Sequence, residues 1–150
     1  MNRVWKPNVT VAALIERDGR FLLVEEEAED GLRFNQPAGH LDEGESLVAA
    51  CAREALEETA WGFTPTALVG IYQWPRPQGD ITYLRFAFCG DLGAHEAGRA
   101  LDTGILRAVW KTPDEIRASA DRHRSPLVSQ CVSDYLAGRR YPLELIRHYD

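Results

Sequence analysis

The chain has 150 residues, 45% hydrophobic and 27% charged, with a formal net charge of −6. That length and balance predict one compact domain over residues 1–150 with a sizeable core. No apolar run reaches the roughly 18 residues that a membrane span needs, and the negative charge argues against attraction to nucleic acid or an anionic membrane.

Taken in chain order, Val9–Ile15 is rich in β-branched residues and predicts a strand rather than a signal peptide. Asp18-Gly19 is a hairpin signal, with Phe21–Glu25 as the returning strand. The acidic stretch Glu25–Asp30 reads as a loop, and Leu32–Gln36 as a short strand stopped by Pro37. Ala38–Glu45, rich in glycine and charge, reads as irregular. Ser46 is a good N-cap for a helix whose apolar stripe is Leu47, Val48, Ala50, Cys51, Ala55 and Leu56. Val69–Trp74 and Ile81–Cys89 read as strands joined by the turn Pro75–Asp80, and Ile105–Trp110 as another strand. Thr112-Pro113-Asp114-Glu115 predicts a helix start with Pro at its first position. Ser129–Leu136 predicts a last helix, stopped by Gly138. Strands interleaved with two or three helices indicate an α/β domain with a mixed sheet. Cys51, Cys89 and Cys131 fall inside predicted elements with no metal-binding spacing, as expected of buried reduced thiols in a cytoplasmic protein.

One stretch carries chemistry. Arg53-Glu54-Ala55-Leu56-Glu57-Glu58 packs three glutamates into five residues of the predicted helix. Glu54 and Glu58 share a face, and Glu57 flanks them. Like charges at that spacing repel, and the C-terminal half of a helix disfavours anions. A cation is needed there, and carboxylate oxygens suit Mg²⁺ or Mn²⁺. Such an ion would also reverse the local field for an anionic substrate.

The spacing Gly39, five residues, Glu45, seven residues, Arg53-Glu54-Ala55-Leu56-Glu57-Glu58 resembles the signature box of the Nudix hydrolases, which act on diphosphates linked to another moiety. The chain departs at Ala60, where the box has glycine, and at Ala55 and Trp61, where it has bulky aliphatic residues. The missing glycine marks a left-handed helix end, so either Ala60 takes that conformation or the helix runs on to Gly62.

The resemblance implies an α/β/α sandwich with a mixed sheet. It implies metal ligation by Glu54, Glu57 and Glu58, with the Ala38 carbonyl as a further ligand. Arg53 would hold Glu45 across the loop and so aim the glutamates. The base that deprotonates water would be a helix glutamate or an acid on a later loop, with Asp102 the candidate there and Asp80 a weaker one. Asn35–Leu41, Leu84-Arg85-Phe86, Arg124–Val128 and Gly138–Ile146 also resemble a bacterial phosphatase of this family. That likeness implies nucleoside di- and triphosphates and thiamine-related pyrimidine diphosphates as substrates, with release of orthophosphate. The box itself leaves open other Nudix substrates, namely ADP-ribose, oxidised nucleotides, dinucleoside polyphosphates or a capped RNA end, and also a catalytically silent nucleotide sensor.

For the substrate, Arg85 breaks an apolar strand and could grip a phosphate bidentately from a polar cleft or belong to an ordinary solvated strand face. Trp74 and Tyr83 could stack on a base or reside in the core. Gln36 and His40 flank the metal loop, within reach of phosphate. Arg122, Arg124, Arg139 and Arg140 could form a basic rim or an ordinary solvated surface. The expected partner is a small phosphorylated molecule, with the chain a monomer or homodimer.

Overall fold

The computed structural model describes residues 3–150. Its strands are β1 (Asn8–Leu14), β2 (Glu16–Arg17), β3 (Arg20–Ala28), β4 (Gly31–Asn35), β5 (Ala38–His40), β6 (Trp61–Pro75), β7 (Thr82–His95), β8 (Ile105–Lys111) and β9 (Tyr141–Pro142). Its helices are α1 (Leu47–Thr59), α2 (Pro113–Ala118) and α3 (Leu127–Leu136). Five strands form a mixed sheet in the order β5-β1-β7-β6-β9, in which only β1 and β7 run parallel. In the second sheet β3 pairs with β2, β4 and β8.

β1 reads as a nearly unbroken apolar run because both of its faces are covered. Val11, Ala13 and Ile15 pack with Ala50, Cys51 and Ala55 of α1. Ala12 and Leu14 face the opposite way, into a cluster with Ile116 of α2 and Cys131 and Val132 of α3. This is the helix–sheet–helix layering expected from the sequence. All three cysteines are free and buried.

Local signals account for several boundaries. Asp18 (φ 52°) and Gly19 (φ 78°) both take positive φ in the β2–β3 hairpin, as a tight primed turn requires. Ser46 caps α1 by accepting from the Ala49 N–H, and Thr112 and Glu115 cap α2 reciprocally. α1 stops at Thr59, and Ala60 itself adopts the left-handed conformation (φ 63°).

Three expectations are corrected. Glu25–Ala28 is not loop but the end of β3, because Arg107 and Arg122 hold Glu25 and Arg124 holds Glu26, removing the charge repulsion. Ala38–His40 is not irregular: it pairs with Thr10–Ala12 of β1. β6 begins at Trp61 rather than Val69 and β7 runs on to His95. Register shifts near Phe63, Pro65 and Leu68 let that long hairpin absorb Gly62 and Pro65.

Candidate active site

The site forms where β5 meets α1. The short β5 carries Gly39 against the helix, and a Cβ on Gly39 would stand 2.2 Å from Glu54 Oε2. Only a glycine lets the strand come this close to the carboxylate.

Arg53 organises the acids. Its Nε donates to Glu45 Oε2 at 2.7 Å and its Nη2 to Glu45 Oε1 at 2.9 Å, a bidentate grip across the loop. Its Nη1 donates to Glu54 Oε1 at 2.6 Å and to Glu57 Oε1 at 3.0 Å, and its Nη2 also reaches the His40 carbonyl. The Arg53 guanidinium holds the Glu45 carboxyl below its usual range.

Glu54, Glu57 and Asp102 each place one carboxylate oxygen within 4.8 Å of the others. The Asp102 N–H donates to the Glu57 carbonyl at the end of α1, at 3.0 Å, which ties the loop before β8 to the helix. Glu58 stands apart from that trio, its Oε1 accepting from the Ala38 N–H at 2.9 Å. Burial pushes the Glu58 carboxyl up to about 9 against the lowering effect of that hydrogen bond, with Glu54 as a further raising charge. Burial also raises Glu54, opposed by Arg53.

Three anionic oxygens drawn together beside a fourth carboxyl make a donor set that fits a hard divalent cation. The Arg53 Nη1 is the protein's own counter-charge for two of them.

A cleft of about 1020 Å³ opens beside Glu54 and Glu58, lined also by Ala38 and His40 and by Trp74, Tyr83 and Arg85, while Arg53, Glu57 and Asp102 lie outside its lining. Its floor is one face of the mixed sheet. Arg85 on β7 is the register partner of Thr10 on β1, which in turn pairs with His40 on β5. Two strand spacings, about 10 Å, therefore separate Arg85 from His40. Tyr83, two residues before Arg85 and on the same face, is the register partner of Trp74. Those two rings stack, with centroids 6.1 Å apart and planes 16° apart.

The predicted residues divide by position. Glu54, Glu58, Ala38, Arg85, Trp74 and Tyr83 line the cleft. Gln36 does not. It is 1% exposed, donating from Nε2 to the Val128 carbonyl and accepting Arg85 Nη1 on Oε1. His40 lines the cleft and lies 3.3 Å from the Asn8 amide. Asp80 is paired with Arg76 on the β6–β7 turn. Arg122 and Arg124 pair with Glu25 and Glu26, Arg139 pairs with Asp134, and Arg140 lies over the Tyr135 ring. Asn35 and Glu26, which the sequence does not single out as site residues, also line the cleft. Their placement depends on the β3–β4 ladder, in which Val24 pairs with Asn35, and no sequence motif marked it.

A Gly39–Glu54 contact, an arginine-locked set of helix glutamates and a mixed sheet between helices define the Nudix fold class. The NUDIX domain pattern matches residues 5–131, and the chain belongs to that family of hydrolases, which use a divalent metal. It is similar to phosphatase NudJ of Escherichia coli strain K12, with 39% identity over 147 residues, covering 98% of this chain and 95% of that one. A NUDIX hydrolase from Nitrosomonas europaea superposes with a TM-score of 0.93 at 54% identity, over 96% of this chain and 98% of that one. The Escherichia coli ORF135 protein shares the fold at a TM-score of 0.70 and 24% identity, over 89% of this chain and 91% of that one. Among the described residues no helix is long and apolar enough to cross a membrane.

Proposed function

We propose that this chain, acting as one cytoplasmic domain, is a Mg²⁺- or Mn²⁺-dependent phosphoanhydride hydrolase. Its substrates are nucleoside di- and triphosphates and thiamine-related pyrimidine diphosphates, and its small product is orthophosphate. The observation that carries this reading is the convergence of Glu54, Glu57 and Asp102 oxygens within 4.8 Å, with Glu54 also lining a cleft that bears Glu58, Arg85 and a stacked aromatic pair. The likeness to phosphatase NudJ supports the choice of substrates.

Glu54, Glu57 and Glu58, with the Ala38 carbonyl, would hold the ion. Bound there, a divalent ion supplies charge neutralisation to the phosphates and acidity to a water molecule. Arg53 fixes the approach of Glu54 and Glu57 through Nη1 while its bidentate grip on Glu45 fixes Arg53 itself. Asp102, the exposed member of the trio, accepts the proton from the attacking water. Arg85 holds a phosphate of the substrate, and Trp74 and Tyr83 hold its ring. A chain of phosphates running from the aromatic pair past Arg85 brings its terminal phosphate to the carboxylates, which fits release of orthophosphate.

The test is a Mg²⁺ assay over thiamine diphosphate, hydroxymethylpyrimidine diphosphate, GTP, GDP, ADP-ribose and an oxidised guanine nucleotide, with orthophosphate and pyrophosphate measured separately. Pyrophosphate as the main product from GTP would overturn the assigned polarity. Glu58→Gln should lower kcat/KM by on the order of 100-fold or more, the scale of one positioned catalytic interaction. An unchanged kcat/KM would remove Glu58 from the ligand set.

A further inference from the structure

Arg85 is 6% exposed, and among the described residues no carboxylate forms an ion pair with it. A buried cation without a counter-charge is strongly disfavoured unless something else supplies one. Its protein partners are all neutral: Gln36 Oε1 at 2.9 Å and Cys131 Sγ at 3.8 Å from Nη1, and Asn35 Oδ1 at 2.9 Å from Nη2. These contacts occupy three of the five guanidinium N–H groups and leave Nε–H and one Nη2–H. No buried side-chain nitrogen or oxygen among the described residues lacks a partner, so Nε, which makes no hydrogen bond, is open to the cleft. Nε–H and the remaining Nη2–H form the fork that a phosphate accepts bidentately.

The two amides are locked in the orientation that serves this fork. Gln36 Nε2 donates to the Val128 carbonyl at 2.8 Å. A carbonyl can only accept and a guanidinium can only donate, so Gln36 must turn its oxygen to Arg85. Asn35 is held in the same sense by Glu26, whose Oε1 lies 3.4 Å from Asn35 Nδ2 and 3.0 Å from Arg124 Nη1. Glutamate or aspartate at these two positions would still accept from Arg85 but would cancel its charge and lose the donor to the Val128 carbonyl or to Glu26. The amides orient it and leave the charge free.

We infer that Asn35 and Gln36 are positioning residues: a neutral clamp that aims the uncompensated Arg85 guanidinium at the phosphate next to the one under attack. This rests on the phosphoanhydride reading above for its substrate, but the anion site itself does not depend on turnover. Arg85 lies between the Trp74–Tyr83 pair and the carboxylate end of the cleft, so the phosphate it holds is an inner one.

The test uses the full chain with Gln36→Glu, Asn35→Asp and Gln36→Met. Binding of inorganic pyrophosphate is measured calorimetrically in EDTA, which removes any contribution from metal at the carboxylates. KM and kcat for GTP with Mg²⁺ and the Tm are measured alongside. The parent should bind pyrophosphate without metal. Gln36→Glu and Asn35→Asp should each weaken that binding on the order of 10-fold or more, and raise KM with kcat much less affected, because a charge-assisted contact is cancelled. Gln36→Glu should lose several degrees of Tm, because its carboxylate faces the Val128 carbonyl with no proton to donate, so its binding is measured well below its own Tm. Gln36→Met, which leaves the charge but loosens the aim, should weaken binding less than Gln36→Glu. Should Gln36→Glu fail to fold, Asn35→Asp makes the same measurement at an independent position. The clamp is overturned if the parent binds no pyrophosphate in EDTA, or if both acidic variants bind it as the parent does. It is also overturned if kcat and Tm fall together while KM stays fixed. If the binding pattern holds but no substrate is turned over, the clamp stands and the hydrolase reading fails.

Discussion

Gly39 and Glu54 share a space that admits no Cβ: one built on Gly39 would meet Glu54 Oε2 at 2.2 Å and Cδ at 2.3 Å. The clashing atoms belong to the far end of a flexible side chain, so Gly39→Ala should be absorbed by moving Glu54 rather than by unfolding β5. A misplaced metal-site carboxylate costs on the order of 100-fold in rate. The expected outcome is a loss of that order in kcat/KM with a Tm within a few degrees of the parent. A variant that keeps kcat/KM within tenfold would show that Glu54 need not occupy its present position.

Glu25 predicts how the fold responds to acid. Hydrogen bonds from Arg107 and then Arg122 hold its carboxyl below the ordinary glutamate value of 4.5. A depressed folded pKa means stability that is present above pH 4.5 and lost as the pH falls through the folded value. At pH 7, Glu25→Gln should melt below the parent, because the two arginines lose their charged partner. The gap in Tm should close progressively below about pH 4.5, where the parent carboxylate becomes protonated too. Melting curves from pH 7 to pH 3 check this, and a gap that stays constant would remove Glu25 from the acid response.

Glu25 also shows what limits a reading of the sequence. The acidic run Glu25–Asp30 looked like loop because its neutralising arginines lie far along the chain, 82 residues on for Arg107 and 97 for Arg122. The carboxylate cradle was legible because Gly39, Glu45, Arg53 and the helix glutamates lie within one local strand–loop–helix, where spacing encodes geometry. Arg85 was legible as a charge interrupting an apolar strand. The role of Gln36 was not, because it depends on the Val128 carbonyl brought in by α3, 92 residues away. Asp102 could be suggested as a turn acid, but only the hydrogen bond from its N–H to Glu57 places it beside the glutamates.

Ala60 ends α1 at φ 63°, where an L-residue other than glycine pays about 1–2 kcal/mol. Its methyl group is buried, and that burial returns about 0.8 kcal/mol. Glycine relieves the strain but loses the methyl, so Ala60→Gly should gain about 0.5 kcal/mol, or roughly 1–2 °C in Tm for a chain of this size. Activity should not change, because Ala60 touches none of the four carboxylates. Calorimetry that finds a lower Tm would mean the methyl packing outweighs the strain.

If the Trp74–Tyr83 pair holds the ring as proposed, recognition of the ring and recognition of the phosphates can be measured apart. The two rings stack with planes 16° apart at the cleft, on the same sheet face as Arg85. Stacking a base on an aromatic side chain contributes about 1–3 kcal/mol, so Trp74→Ala should raise KM for GTP by about 5- to 150-fold. Inorganic tripolyphosphate has no ring to lose, and its KM should stay within about twofold of the parent value if Arg85 and the carboxylates keep their positions. Measured side by side, a rise confined to GTP assigns Trp74 to the ring. An equal rise for both substrates would show that Trp74 acts instead by supporting Tyr83 and the β6–β7 hairpin.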